Sequence, residues 1–337
     1  MKPGCLNPTV VGGRKEAVPA CLLRDLRRSP RSSGGRGFPE PEFFMPQSSM
    51  RTLVAIPVYN EEKYLPGVLQ KVRAHADRLL LIDDGSTDRT PQLIAQERGL
   101  DGVRHSSNRG YGRSLRDAFR FAIQERFDLL ITMDCDDQHE PAAIPLFIEA
   151  ASRSSHDIIS GSRYLLPMTG NDRPPVERRA INSTITAEIN TRLSGSLGTL
   201  LTDSFCGFKA YRVPALKKLR PTVTGYAFPM QFWVQAAAAG LRVKELPVKL
   251  IYNDLARTFG GTLDDADERL KHYRHVLHRE IQRHADELPA SATHGVVAAA
   301  DGAHRSCCTP CSSLRALGGR VDGASEEGGP ASGVRSR

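Results

Sequence analysis

Residues 129–140 read LLITMDCDDQHE, an apolar run that leads directly into a group of carboxylates. The run from Leu129 to Met133 is typical of a strand buried in the core of an α/β sheet. Open α/β sheets bind their ligands at the carboxyl ends of the strands, where Asp134 and Asp136 would lie. These two carboxylates can share a hard divalent cation, Mg2+ or Mn2+, with the oxygens of a diphosphate. A plain acidic turn explains the same residues, so the surrounding sequence has to decide between the two.

Length and composition indicate a globular protein. The chain has 337 residues, of which 40% are hydrophobic, enough for one large domain or two small ones. No apolar run approaches the ~20 residues that span a bilayer, and no apolar signal-peptide segment follows the basic N-terminus. The cysteines are scattered and odd in number, which does not indicate a disulfide framework. We therefore expect a cytoplasmic protein.

Much of the basic charge lies in one tail. The formal net charge is +8, and residues 1–49 alone carry eight Lys or Arg against four Asp or Glu. A nucleic-acid-binding domain would instead show a basic patch within its folded part. We therefore expect no nucleic-acid partner.

The chain divides into a central domain and two tails. Residues 1–49 are rich in Pro, Gly, Ser and Arg, and residues 288–337 in Ala, Gly and Ser, so both are predicted to be disordered. Residues 50–287 alternate between apolar strands and helical patterns. Strands are predicted at Thr52–Val58, Leu79–Ile82, Val103–His105, Leu129–Met133 and Asp157–Ser160. This alternation predicts a Rossmann-like α/β fold with a mostly parallel central sheet flanked by helices.

Polar side chains follow three of these strands. Tyr59 and Glu61 follow the first, Asp84 the second, and Asp134 and Asp136 the fourth. Because the carboxyl ends of parallel strands share one edge of the sheet, we expect these groups to converge there. The G-x-G-x-x-G fingerprint of dinucleotide-binding proteins is absent after the first strand, where the sequence reads PVYNE. An NAD-dependent dehydrogenase is accordingly disfavoured.

Five motifs occur in order along the domain: IPVYNEE at 56–62, IDDGSTD at 82–88, NRGYG at 108–112, MDCDDQHEP at 133–141 and GSRY at 161–164. Together they resemble family 2 glycosyltransferases of GT-A fold, over about residues 51–260. The motifs are most similar to those of dolichol-phosphate mannosyltransferases and polyprenyl-phosphate glycosyltransferases. The resemblance implies an inverting, metal-dependent enzyme. Such an enzyme would move a hexose from a nucleotide sugar of GDP-mannose or UDP-glucose type to a polyprenyl phosphate.

The resemblance also implies roles for individual residues. The nucleotide is expected to contact Pro57, Tyr59, Glu61, Ile82, Asp84, Asp134 and Cys135. The Mg2+ or Mn2+ ion is expected to be held by Asp134, Asp136 and Gln138. The acceptor phosphate is expected to contact Arg163, Arg179, Ser183 and Arg257. Catalysis is expected to depend on Asp136, Arg163 and Asp203, the last within DSFCGFK at 203–209, which resembles the family's D-x-x-S-G-F-[RK].

The chemistry of these residue types agrees with such roles. A tyrosine ring such as that of Tyr59 can stack on a base, and arginine forks match phosphate oxygens. Simpler explanations exist for two of the segments. Residues 83–86 also fit an ordinary turn, and Arg178 and Arg179 also fit a solvated helix face.

Two departures from the family pattern leave the acceptor open. Gln231 lies where many relatives carry Glu, and an amide cannot act as a base. A polyprenyl phosphate is already ionised near neutral pH and needs no base, so this departure decides little. The R-x-x-G-x-S-K motif of relatives is matched only by Arg257 and Gly260, without its Ser-Lys pair.

Three interpretations therefore remain. The first is transfer to a polyprenyl phosphate, met by peripheral contact at the inner face of the membrane because the sequence shows no membrane anchor. The second is the same fold glycosylating a soluble or polysaccharide acceptor. The third is a nucleotide-binding module without catalytic activity.

Overall fold

The computed structural model describes residues 50–167, 173–252 and 261–296. The described strands are β1 (Thr52–Val58), β2 (Leu79–Asp83), β3 (Asp101–Arg104), β4 (Leu129–Thr132), β5 (Ile158–Ser162), β6 (Lys209–Arg212) and β7 (Val243–Pro247). The described α-helices are α1 (Leu65–Arg73), α2 (Thr90–Gln96), α3 (Tyr111–Gln124), α4 (Ile144–Ser152), α5 (Val176–Leu197), α6 (Val213–Leu216), α7 (Phe228–Ala238), α8 (Ala266–Arg283) and α9 (Ala290–Thr293). Short 3-10 turns lie at Pro141–Ala143 and Gly261–Asp264. Among the described helices, none combines the length and the apolar character needed to cross a membrane.

The strands form one seven-stranded sheet in the order β3-β2-β1-β4-β6-β5-β7. Strand β6 runs antiparallel to both of its neighbours, and the remaining pairs are parallel. The mostly parallel α/β sheet predicted from the strand–helix alternation is therefore confirmed.

Helices cover both faces of the sheet, which explains why its strands are apolar on both sides. Along β1, Leu53 and Ala55 pack into the hydrophobic cluster that includes residues of α3, α5, α7 and α8. Val54 and Ile56 point the other way, into the cluster that includes residues of α1 and α4. Successive side chains of a strand alternate between its faces, so a strand between two helical layers has no polar side.

The register of the strands brings their carboxyl ends to one level. Val58 of β1 pairs with Asp83 of β2, and the Asp84 N–H donates to the Val58 carbonyl oxygen at 2.8 Å. Because β6 is antiparallel, it begins at this same edge, where Lys209 pairs with Thr132 of β4. The segment before β6 is thereby placed beside the residues that follow β4.

The folded region continues past residue 287, where we expected the domain to end. Leu288 and Ala292 are buried, and Arg192 of α5 donates hydrogen bonds to the carbonyl oxygens of Ala292 (2.9 Å) and His294 (2.8 Å). The short helix α9 packs on α5 and α8. Its four residues are too few to show helical periodicity, and their Ala, Ser and Thr composition resembles that of a tail. The sequence therefore did not predict this helix. Of the predicted tails 1–49 and 288–337, residues 1–49 and 297–337 lie outside the described residues.

Candidate functional site

A cavity of ≈ 660 Å³ lies at the carboxyl edge of the sheet. The structure brings nine of the expected site residues to its wall: Pro57, Tyr59, Glu61, Asp84, Asp134, Cys135, Asp136, Gln138 and Arg163. They lie at or just after the carboxyl ends of four different strands, namely β1, β2, β4 and β5. Strand ends that are far apart in sequence thus supply one continuous surface, as the sequence analysis predicted.

Four further expected site residues, all within the described part of the chain, do not line this cavity. Ile82 and Asp203 are fully buried, and Arg179 and Ser183 lie on α5 away from the wall. Arg257 lies outside the described residues. Ile82 is a core residue of β2, since every residue of that strand is buried.

Hydrogen bonds within the turn after β4 fix its conformation. The Asp134 N–H donates to Nδ1 of His139 at 3.1 Å, and the Gln138 N–H donates to Oδ1 of Asp136 at 3.1 Å. The hydroxyl of Tyr111, at the start of α3, donates to Oδ1 of Asp134 at 3.0 Å. The positions of the carboxylates are thus set by the turn and, for Asp134, by α3 as well.

The segment before β6 packs against the first carboxylate. A Cβ atom at Gly207 would lie 2.7 Å from Oδ1 of Asp134, closer than real Cβ atoms come to any neighbour. The Gly207 carbonyl oxygen also accepts from the Thr132 hydroxyl at 2.8 Å. A side chain at position 207 would therefore displace the Asp134 carboxylate.

The donor set at the turn suits a metal ion that arrives with a diphosphate. Within residues 50–167, 173–252 and 261–296, no three His, Cys, Asp or Glu side chains are grouped to hold a metal ion by themselves. Asp134 and Asp136 nevertheless both line the cavity. Mg2+ is commonly held by one or two carboxylates together with substrate phosphates, and these hard oxygen ligands suit Mn2+ as well. The residues present fit such an ion.

Asp84 lines the cavity but already accepts three hydrogen bonds. They come from the backbone N–H groups of Arg109 (2.8 Å) and Gly110 (2.7 Å) and from Nδ1 of His105 (2.5 Å). Asp84 therefore holds the segment that leads into α3. We expected its carboxylate to serve the nucleotide, and sequence reasoning missed its partner His105.

Asp203 anchors Arg163. Its carboxylate accepts from Nε of Arg163 at 2.6 Å, from a terminal nitrogen of Arg163 at 2.9 Å and from the Asn182 amide at 2.7 Å. Burial alone would raise the pKa of Asp203, but the guanidinium and these hydrogen bonds hold that pKa well below its usual range. Because Asp203 is fully buried and lies off the cavity wall, it cannot touch a substrate in this structure. The catalytic role expected for Asp203 stays a prediction; in this structure its carboxylate holds the guanidinium of Arg163.

Tyr164 links the two arginines expected at the acceptor. The guanidinium carbon of Arg179 lies 3.8 Å from the centre of the Tyr164 ring, and that of Arg163 lies 5.5 Å from it. Both distances are within the range of a cation–π contact. Arg178, rather than Arg179, lines the cavity.

Further residues of the wall were missed by the sequence analysis. Tyr111 and Tyr226 stack at 6.1 Å between ring centres, and both line the cavity. Arg269 of α8 is 2% exposed and pairs with Glu177 at 3.4 Å. The NRGYG motif was a signal for Tyr111, whereas the contact of Arg269 joins residues 92 apart in sequence, which no local pattern reveals.

Gln231 lies away from the cavity wall. It is buried, its side-chain oxygen accepts from the N–H groups of Thr222 (2.6 Å) and Val223 (2.8 Å), and its amide donates to the Thr222 hydroxyl (3.0 Å). Its role in this structure is to hold the segment before α7.

Comparisons with known proteins agree with the motifs. The model of the family "Glycosyl transferase family 2" matches residues 53–220. An uncharacterized protein of Methanocaldococcus jannaschii is 30% identical over 61% of this chain and 84% of its own length. An undecaprenyl-phosphate mannosyltransferase of Micrococcus luteus is 28% identical over 64% of this chain and 91% of its own. A polyprenol monophosphomannose synthase of Mycolicibacterium smegmatis is 28% identical over 61% of this chain and 80% of its own.

A comparison with solved structures agrees with the fold. Glucosyl-3-phosphoglycerate synthase from Mycobacterium tuberculosis, in a complex with Mn2+, UDP and glucosyl-3-phosphoglycerate, aligns with a TM-score of 0.52. The alignment covers 71% of this chain and 81% of that one, at 19% identity. The expected GT-A fold is thereby confirmed. On its sequence, its fold and its relatives, the chain belongs to glycosyltransferase family 2 and is a glycosyltransferase.

Proposed function

We propose that this glycosyltransferase moves a hexose from a nucleotide sugar to a polyprenyl phosphate, with inversion at the anomeric carbon. The observation that carries the proposal is one cavity lined by Asp134, Asp136 and Arg163. The carboxylates suit the donor's metal-bound diphosphate, and a guanidinium suits an acceptor phosphate. Two of the relatives described above are named for transfer to a polyprenyl phosphate or a polyprenol.

The donor is proposed to lie along the ends of β1, β2 and β4. Pro57, Tyr59 and Glu61 would border the nucleoside, with the exposed Tyr59 ring available for stacking on the base. Asp134 and Asp136, with Gln138, would hold Mg2+ or Mn2+ at the diphosphate. Such an ion, when bound, neutralises charge on the leaving nucleoside diphosphate.

The acceptor phosphate is proposed to bind at Arg163. Burial alone would lower the pKa of Arg163, but the Asp203 carboxylate holds it well above its usual range, so this arginine stays charged. A phosphate monoester is already ionised near neutral pH, so it needs positioning and charge screening more than a base. Arg178, on the same wall, and Arg179, against Tyr164, would add positive charge nearby.

A group of three exposed apolar residues lies near Tyr164 and Arg179 in the sequence, and these two residues are themselves in contact. Leu165 and Leu166 directly follow Tyr164, and Val176 begins α5; their exposed fractions are 38%, 61% and 86%. A phosphate on a lipid reaches an enzyme from the membrane surface, where exposed apolar side chains can enter the interface. We propose peripheral contact with the membrane through this group.

A soluble phosphorylated acceptor is the second candidate. It is favoured by the missing Ser-Lys pair near Arg257. It would use the same donor site and Arg163, so the two candidates differ only in the acceptor. The non-catalytic interpretation is not retained, because the chain belongs to a family of enzymes.

The test is transfer of labelled sugar by the full chain. The protein is incubated with Mn2+ or Mg2+, with labelled GDP-mannose or UDP-glucose, and with polyprenyl phosphate; label is then measured in the organic phase. Metal-dependent transfer to that phase supports the proposal and names the donor. Metal-dependent release of nucleoside diphosphate without lipid label overturns the lipid acceptor and favours the soluble one.

A further inference from the structure

A histidine outside the five motifs lies between two carboxylates. His105 directly follows β3, and its side chain is 8% exposed. Its Nδ1 lies 2.5 Å from Oδ1 of Asp84, and its Nε2 lies 2.9 Å from Oδ2 of Asp117 on α3. An ionised carboxylate only accepts hydrogen bonds, so both ring nitrogens must carry a proton for both bonds to form.

We propose that His105 is a positioning residue of the donor pocket, which is the part of the cavity at the ends of β1, β2 and β4. It fixes the Asp84 carboxylate and, through it, the segment 107–110 that forms part of the pocket wall. The inference rests on the proposed function, which places the donor along the end of β2, where Asp84 lines the cavity. It goes beyond that function because His105 itself does not line the cavity.

The segment 107–110 depends on Asp84 for its position. The N–H groups of Arg109 and Gly110 donate to the two oxygens of the Asp84 carboxylate, and Asn108 and Gly110 line the cavity. A Cβ at Gly85 would lie 2.6 Å from the Cα of Ser107, so the two loops are in direct contact. Gly110 is also the residue before α3, where a negative charge is favourable for the helix dipole. A displaced Asp84 would therefore displace this part of the wall.

Asp117, the second carboxylate that His105 binds, is also held by two arginines. Asp117 is buried and also binds Nε of Arg113 at 2.8 Å and a terminal nitrogen of Arg120 at 3.1 Å. Loss of His105 would leave Asp117 with two arginines. Asp84, in contrast, forms no other ion pair within the described ranges. The loss of His105 would therefore change the position of the Asp84 carboxylate more than that of Asp117.

The charges around the ring explain why a histidine is suited to this position. Asp84 from the end of β2 and Asp117 from α3 are both negative, and the other cations that pair with these two carboxylates among the described residues, Arg113 and Arg120, bind Asp117. Burial alone would lower the pKa of His105, but the two carboxylates raise it to about 9. The ring is therefore charged at neutral pH, and it can hold both carboxylates at once.

The proposal is tested with His105→Gln, which keeps one hydrogen bond and removes the charge. The matched control is His278→Gln: His278 also binds a carboxylate, that of the half-buried Glu188, at 2.6 Å, but it joins α5 to α8 and does not line the cavity. Binding of GDP and UDP with Mg2+ is measured by calorimetry, together with the melting temperature. His105→Gln is expected to weaken nucleoside diphosphate binding by about tenfold or more, the size expected for a lost charge-assisted hydrogen bond. His278→Gln is expected to lower the melting temperature with unchanged binding.

A pH profile gives an independent readout. His105 has a higher pKa in the folded protein than its ordinary 6.5, so its contribution is fully present below pH 6.5 and is lost as the pH rises through about 9. The difference in nucleoside diphosphate affinity between wild type and His105→Gln should therefore shrink between pH 7 and about pH 10. If His105→Gln does not fold, Asp117→Asn, which weakens the same bridge from its far end, is expected to weaken binding by a smaller factor.

Two results would overturn the inference, and they differ from each other. Wild-type affinity in His105→Gln, with a melting temperature lowered as in His278→Gln, would make His105 a purely structural residue while leaving the donor site in place. Failure of the wild-type protein to bind either GDP or UDP would remove the donor site itself, and this inference with it.

Discussion

At the scale of single residues, Asp136 and Asp137 are neighbouring carboxylates with different surroundings. Asp136 lines the cavity, whereas Asp137 has a φ of 56° and pairs with Lys71 at 2.7 Å. Asparagine adopts this left-handed conformation more readily than most residues. The two positions therefore provide a matched pair of substitutions within one turn.

Asp136→Asn is expected to reduce metal-dependent sugar transfer to background with an unchanged melting temperature. The amide keeps an oxygen for the Gln138 N–H but loses the charge that a divalent cation requires. Asp137→Asn, the control, is expected to retain near-wild-type activity. Initial rates at several Mg2+ concentrations check both variants, and a wild-type rate in Asp136→Asn would contradict the metal assignment.

The role of Arg163 is best tested with a conservative substitution, because its partner Asp203 is buried. Arg163→Ala would leave the Asp203 carboxylate uncompensated, at a cost of about 3–5 kcal/mol in the free energy of unfolding. Arg163→Lys keeps the charge but loses the bidentate hydrogen bonding to Asp203. We expect it to raise the KM for the acceptor about tenfold, with the donor KM unchanged, as one charge-assisted hydrogen bond would require. Steady-state kinetics with each substrate varied in turn would measure both KM values. An unchanged acceptor KM would contradict the prediction.

At the scale of secondary-structure elements, the antiparallel strand β6 decides which segments meet. It enters the sheet from the cavity edge, so residues 203–208 lie beside the ends of β4 and β5. Asp203 reaches Arg163, and Gly207 packs against Asp134, for this reason. A parallel β6 would begin at the opposite edge, and neither contact would form.

Helix α9 gives a prediction about the end of the domain. A chain ending at residue 287 loses the buried Leu288 and Ala292 and the carbonyl partners of Arg192. We expect its free energy of unfolding to fall by roughly 2–4 kcal/mol, mostly from the apolar area of one leucine and the lost hydrogen bonds.

The matched control is a chain ending at residue 299, which retains α9. We expect this chain to unfold at the same urea concentration as the full-length protein. Equal stability of the chains ending at 287 and 299 would show that α9 contributes nothing to the domain.

At the scale of the whole molecule, the exposed Val176 begins α5, and the exposed Leu165 and Leu166 follow Tyr164, which contacts Arg179 in the first turn of that helix. Leu200 lies beyond the carboxyl end of this 22-residue helix and is similarly exposed, at 67% against 61% for Leu166. A helix of that length spans about 33 Å. The two leucines therefore test opposite ends of one element.

Leu166→Asp is expected to lower the rate of transfer to polyprenyl phosphate in anionic vesicles several-fold, because a charged side chain opposes entry into the interface. Transfer to a short-chain, water-soluble analogue should be unchanged. Leu200→Asp should leave both rates unaltered. Equal loss with both acceptors in Leu166→Asp would place Leu166 in the cavity chemistry and contradict membrane contact.

The sequence by itself determined the class of fold, and it pointed to nine of the residues that line the cavity. Apolar runs such as Leu129–Thr132 form buried strands for local reasons, and the polar residues that follow them reach the same edge because parallel strands end together. The five motifs, which lie at those ends, were sufficient to identify the family. These properties depend on residues close together in the chain.

Only the tertiary structure decided which buried charges meet. Arg163 and Asp203 are 40 residues apart, and His105 meets Asp84 and Asp117 from two different elements. Such pairs depend on how strands order themselves in the sheet and how helices pack on it, and they leave no periodic signal in the sequence. The same reason separates Asp203, a buried anchor, from Asp136, which lines the cavity: both are aspartates of family motifs, and packing alone gives one access to substrate.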